Sequence, residues 1–380
     1  MSTVRKKSTA DPKSVTPSLC VTELVQLTQL GIPLEHVTWP RVTVTPSQWL
    51  CIRHTMTCRN ASSSADRCSV VTVFNPQRSA PQTYKVEARC AKLNPDKPLL
   101  AITDQWALYL YSTRTKKLLH KSRLERDLVY WAWVTPSTLG LVTRDAVFHW
   151  DCSSAPTEPV FMFSLHERIR NTELVGYITD PGLKWLAVTG LFQEVVSGLV
   201  QLYSVDRRVS QLLPGQCAQL CRHQFQGQAY ASQLLLLADR GPAGQRPEGR
   251  LHLSELGPPA STGGALRGPI AETLEFFDPL DKFDFPVCLQ VSSSQGLVYV
   301  LTKCGVVHLC DLETVTPLCL HVVCPDITFT ASITPTCGLM VVSRNGQVLL
   351  VEIKKAALLR RIIEVVNRPA IATRLRQTLP

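Results

Sequence analysis

Fourteen cysteines, nine histidines and thirty carboxylates give this 380-residue chain many groups that could hold a metal or carry a catalytic proton. Their spacing assembles none of the known sets. There is no CxxC pair, and Cys217 and Cys221 lack histidines at zinc-site spacing. Cys51, Cys68, Cys288, Cys304 and Cys310 lie in apolar, strand-like runs, where a reduced thiol packs as a small hydrophobe. His166-Glu167 continues as Arg-Ile-Arg and not as HExxH, and no GxSxG elbow, P-loop or GxGxxG occurs. Asp278, Asp281 and Asp284 are wrongly spaced for a calcium loop and read as a turn, and no carboxylate pair suited to glycoside cleavage stands out. The expectation is a chain with no catalytic residue, no metal and no cofactor: a binding protein, not an enzyme.

What it binds is bounded by charge. Lys and Arg outnumber Asp and Glu by 40 to 30, a net charge of +10 that favours acidic partners. No basic stripe with interleaved aromatics supports nucleic acid as the partner. The N-terminus (MSTVRKKSTADPKSVTPS) has no apolar core and reads as a flexible extension over 1–20, not a secretion signal, which leaves the Asn60-Ala61-Ser62 sequon idle. No run of eighteen apolar residues predicts a membrane span.

The elements that must position any binding groups are β-hairpins. An apolar run, a tight polar turn and a second apolar run recur seven times, as in WLCIRH (49–54) with CSVVTVF (68–74), WLAVTG (185–190) with LVQLYSVD (199–206), and LVYVLTK (297–303) with VVHLCDLE (306–313). Most are forty to fifty residues apart. Seven such units predict an all-β, seven-bladed propeller over 21–353, each hairpin supplying the inner or middle strands of a four-stranded blade. The single Trp150-Asp151, with no Gly-His before it at repeat spacing, argues against a WD-repeat scaffold. GPAGQRPEG (241–249) and LGPPASTGGALRGP (256–269) read as surface loops. Beyond Val351, Ala357, Leu358, Ile362, Val365 and Val366 recur at helical spacing, and Pro369 opens a second helix. The segment 354–380 is therefore a short helical region whose apolar face needs a partner.

Several local patterns, in this order, resemble the N-terminal propeller of a clathrin heavy chain and the start of its helical linker: LTQLGI (27–32), YWAW (130–133), LVTRDAVFHW (141–150), QLYSVDRRVSQ (201–211), FDFPV (283–287) and LTKCGVVHLCDLET (301–314). The resemblance implies a terminal domain that catches linear motifs of adaptor and accessory proteins in clathrin-mediated vesicle transport and endocytosis. It implies a cytoplasmic protein, peripheral at coated pits, coated vesicles and the trans-Golgi, that meets membrane only through adaptors. The chain stops before the family's leg and trimerisation hub, so no trimer is expected of it alone. The alternative it leaves open is a truncated, non-assembling relative that acts as a competitor or as a propeller scaffold outside coats.

The same resemblance assigns residues. Trp185, Leu202, Arg207 and Gln211 match an arrestin-type peptide groove of blades 4 and 5, which is expected to be the better kept. Leu100, Tyr109, Tyr111 and Lys116 fall in the clathrin-box groove of blades 1 and 2. There Ala107 replaces a Thr, Tyr109 a Gln and Leu118 a Lys, which weakens acidic, hydrogen-bonded ligands. A central pocket takes Trp39, Glu173 and Val175 in place of Phe, Gln and Ile, and Glu173 disfavours acidic peptides there. Glu23 and Gln26 match a fourth site.

Overall fold

The structure, a computed structural model, describes residues 17–57, 67–124, 127–153, 158–241, 248–257, 269–275 and 284–380. The sequon at Asn60, the carboxylates Asp278 and Asp281, most of both Gly/Pro-rich stretches and most of the N-terminal segment lie outside these residues.

Seven antiparallel sheets of four strands each form the chain. Each predicted hairpin supplies the two middle strands of one sheet. In blade 4, for example, Trp185–Leu191 pairs with Gly198–Ser204, between Glu173–Thr179 on the inside and Val209–Pro214 on the outside. Burial explains the composition of these runs. A middle strand is covered on both faces by neighbouring blades, so Thr138–Thr143, Leu297–Thr302 and Val306–Asp311 are buried at every position. An outer strand such as Leu118–Arg123 faces water, and from Leu119 onward its exposed and half-buried positions alternate.

The buried apolar side chains fall into seven clusters, one at each seam between adjacent blades. Leu100 and Ile102 meet Cys51 and Val73 between blades 2 and 1, and Leu202 meets Leu220 and Leu235 between blades 4 and 5. Each fully buried Leu or Val contributes about 1.5–3 kcal/mol, so the seams rather than the hydrogen-bonded ladders weld the ring. The seventh blade closes it. Its outermost strand is Leu19–Gln26, which pairs with Gln347–Ile353 from Leu19 opposite Ile353 to Gln26 opposite Gln347. Thus both ends of the propeller sequence share one sheet, a pairing that hairpin periodicity does not reveal.

Two helices follow, Lys355–Glu364 and Pro369–Thr378. Their apolar face finds its partner within the chain: Leu358, Ile362, Ile371 and Leu375 join the cluster of blades 6 and 7 with Leu318 and Leu349. The sequence placed Val365 on this face. The first helix ends at Glu364, however, so Val365 lies past the last turn and stays 55% exposed. Cys304 likewise departs from expectation, because it sits in the turn between two strands of blade 6 while Cys51 and Cys310 are buried on strands.

Candidate functional site

The predicted residues occupy three places on the ring, and a fourth pair lies on its closing strand. At blades 1 and 2, Leu100 is 1% exposed and belongs to the seam itself. Tyr111, half-buried, packs on the same cluster beside Trp49 and Tyr84. Tyr109 stacks on Tyr111 with ring centroids 6.4 Å apart, and its hydroxyl donates to Asp104 Oδ2 at 2.7 Å. That acceptor raises the Tyr109 phenol and helps hold the Asp104 carboxyl low. Beside them opens a groove of about 860 Å³. Trp49, Val73 and Tyr84 come from blade 1; Pro98, Arg114 and Lys116 come from blade 2. Lys116 Nζ stands 5.9 Å from the Tyr84 ring centroid. Lys116 also holds a left-handed φ of +57°, unusual for a residue with a Cβ, at the turn that aims it there. Trp49, Tyr84 and Arg114 were missed from sequence. Trp49 opens a hairpin run, Tyr84 lies on the strand after one and Arg114 sits in a turn, but which blade faces them is settled only when the ring closes.

At blades 4 and 5, Leu202 is buried and Trp185 half-buried in one cluster, with Leu256 of blade 5 packed against it. Gln211 pairs opposite Leu202 on the outer strand and is exposed. Arg207, also exposed, comes from the turn after Ser204, whose Oγ accepts its backbone N–H at 3.4 Å. A Cβ on Gly257 of blade 5 would lie 3.9 Å from Arg207 Nη2, so the guanidinium stands close to the neighbouring blade. All four predicted residues come together on one side of this seam.

The centre of the ring holds a cavity of about 760 Å³. Trp39 lines it, stacked on Tyr130 at 6.1 Å and 13°, and Lys92 Nζ lies 4.2 Å from the Tyr130 centroid. Glu173 and Val175 do not line it. Thr172, just before that strand, and Leu174 on it line the cavity instead, and a register shift falls at Val175. Glu23 and Gln26 lie on the closing strand, where Gln347 Nε2 donates to Glu23 Oε2 at 2.7 Å and Gln26 Nε2 to the Asn345 carbonyl at 2.8 Å. Both already serve the last sheet.

Among the described residues no three His, Cys, Asp or Glu side chains gather as a metal site would require, and no helix is long and apolar enough to cross a membrane. His166 caps the short helix Glu167–Arg170, its Nδ1 accepting from Arg168 N at 3.1 Å. Asp284, buried, accepts from the Cys304 amide. Both perform local structural tasks.

No protein-family model matches the chain. Among known proteins it is 30% identical over 356 residues to clathrin heavy chain 2 of Homo sapiens, covering 93% of this chain and 21% of that one. To clathrin heavy chain 1 of Oryza sativa subsp. japonica it is 30% identical over 377 residues, covering 95% and 21%. To the clathrin heavy chain of Drosophila melanogaster it is 29% identical over 356 residues, covering 93% and 20%. The chain therefore spans about a fifth of the length of these relatives. Solved structures similar in fold include a chain of a mitotic checkpoint complex (TM-score 0.54, 13% identity, 92% of this chain and 98% of that one). The β-propeller domain of Myceliophteria thermophila Cps50 (Swd1) is another (TM-score 0.54, 9% identity, 84% and 97%). At those identities they speak for the fold alone. Over the segment it shares with them, the chain is a seven-bladed propeller relative of the clathrin heavy chains.

Proposed function

We propose that this chain acts as a clathrin-type terminal domain, binding short linear segments of adaptor and accessory proteins in the clefts between its blades during vesicle transport. The observation that carries the reading is the groove of blades 1 and 2. Its walls are apolar and aromatic, from Trp49, Val73 and Tyr84, and its rim is cationic, from Arg114 and Lys116. An extended peptide with apolar anchors and flanking carboxylates fits such a slot, its anchors desolvated against the rings and its acids near Lys and Arg. The seam of blades 4 and 5 adds a second candidate, where Arg207 and Gln211 are exposed beside the half-buried Trp185. Individually weak contacts of this kind gain useful affinity when one partner carries several motifs. The reading also implies a protein that reaches coated membranes through those partners.

The test is a titration of clathrin-box and arrestin-type peptides by fluorescence anisotropy. Saturable binding that Lys116→Ala weakens for the first class and Arg207→Ala for the second supports the reading. An absence of binding to either class at millimolar peptide would overturn it.

A further inference from the structure

The outer edge of blade 2 differs from those of blades 3 to 6. From Gln105 to Leu124 there is no carboxylate, while Arg114, Lys116, Lys117, Lys121 and Arg123 are all exposed. No ion pair with a carboxylate among the described residues engages any of the five, and Asp104, one residue before this stretch, is the carboxylate that feels the charge of Lys121. Exposed apolar side chains accompany them: Leu118 and Leu119 at one end, at 47% and 45%, and Trp106 at the other, at 67%. The outer strands of blades 3, 4 and 6 (VFMFS, VSQLLP and PLCLHV) carry no Lys or Arg, and that of blade 5 (IAETLE) is acidic.

The strand Leu118–Arg123 also has an unused backbone edge. It is the last strand of its sheet. Leu124 N–H bonds inward to the Trp106 carbonyl at 2.7 Å. Because antiparallel strands alternate the direction of their backbone groups, Lys121 and Arg123 turn their N–H and C=O away from the sheet. Their side chains share one face, Lys121 opposite Tyr109 with Nζ 5.2 Å from its ring and Arg123 opposite Ala107. A register shift between Leu118 and His120 leaves both leucines at the end of this track.

We propose that this edge binds an extended acidic peptide by strand addition, as a fifth strand of blade 2, at a site separate from the clefts between blades. Backbone pairing with Lys121 and Arg123 sets the register. Two carboxylates, two residues apart on the peptide, then lie over Lys121 and Arg123, and an apolar side chain beyond them meets Leu118 and Leu119. Lysines on an open edge discourage pairing between copies of the chain itself. For a negatively charged strand the same lysines are attractive, so the edge selects its partner by charge.

The experiment uses the whole chain and a synthetic peptide carrying two aspartates two residues apart and a terminal leucine, assayed in both chain directions. Three measurements follow: anisotropy, amide hydrogen exchange at positions 121 and 123, and binding to vesicles containing phosphatidylserine. The expected result is salt-sensitive binding that slows exchange at Lys121 and Arg123. It weakens at least about tenfold in Lys121→Gln/Arg123→Gln and when alternate peptide amides are N-methylated. Arg222→Gln, which removes an exposed cation from blade 5 instead, should leave it unchanged. Unchanged exchange at both amides, equal binding of the N-methylated peptide, or capture of the vesicles with no peptide binding would each overturn the proposal.

Discussion

Tyr177 of blade 4 reaches over the seam to His149 of blade 3, its phenolic oxygen 2.7 Å from the imidazole Nε2. The contact exists because Gly140, paired opposite His149, has no side chain: a Cβ there would lie 2.2 Å from Tyr177 Cε1. Three residue types thus interlock two sheets, a missing side chain making room for a ring and the ring satisfying a buried polar group. Gly140→Ala should destabilise the ring by about 3 kcal/mol through overpacking. Tyr177→Phe should cost about 1–2 kcal/mol by leaving His149 without its partner. Denaturant unfolding measures both, and a Gly140→Ala cost below that of Tyr177→Phe would contradict the packing argument.

Burial also makes stability depend on pH. Burial pushes the imidazoles of His149 and His308 down to about 4, from the ordinary 6.5 of an unfolded chain. Above pH 6.5 both rings are neutral in either state, and their contribution to stability is complete. As pH falls from 6.5 to 4 the unfolded chain takes up protons that the fold refuses, so stability declines, by at most about 3 kcal/mol per ring. His308 Nε2 has no hydrogen-bond partner, so His308→Leu should flatten the slope at little cost at neutral pH. Melting temperatures from pH 8 to 4 would show this, and an unchanged slope in the variant would count against it.

The C-terminal helix is fastened by buried charge. Arg374 pairs with Asp311, which is fully buried, and its Nη1 lies 3.0 Å from Glu313 Oε2. Glu313 Oε1 is 3.4 Å from His223 Nε2 of blade 5. Arg374→Ala strands two carboxylates in low dielectric and should cost about 3–5 kcal/mol. Faster hydrogen exchange over 369–378, exceeding any change in the inner strands, is the expected signature. Uniform change throughout the ring would mean that the pair supports the propeller and not the helix.

Lys116 offers a way to separate charge from backbone. At its positive φ a glycine is better accommodated. Lys116→Gly should therefore lower affinity for acidic peptides in the groove of blades 1 and 2 by about tenfold or more, as expected for one charge-assisted bond. It should leave stability equal or slightly higher. A loss of stability alongside affinity would assign Lys116 a role in folding.

The buried thiols should be inert. Burial pushes Cys51 and Cys319 up to about 12 and Cys221 up to about 11, leaving almost no thiolate at neutral pH. A thiol-reactive dye should label these cysteines in the unfolded chain but not in the native one. Rapid native labelling of Cys51 would contradict the packing between blades 1 and 2.

The hairpins and their number were legible because strand-forming side chains, two-residue alternation and polar turns are local: WLAVTG and LVQLYSVD announce a hairpin wherever they stand. Trp185, Leu202, Arg207 and Gln211 were named by the family resemblance, and one blade holds all four. Trp49 and Tyr84 were not, since their groove exists only where blade 2 meets blade 1, and nothing local marks that meeting. Likewise the resemblance put Leu100 in a groove, while the neighbouring sheet decides that it is buried. Residue types and their spacing thus determined the strands, the seven blades and the absence of known catalytic motifs. Tertiary structure alone decided that Leu19–Gln26 closes the ring, that the two helices cover blades 6 and 7, and which side chains stay exposed between blades. Strand identity depends on neighbours a few residues away; burial depends on surfaces that the chain brings together only after it has turned full circle.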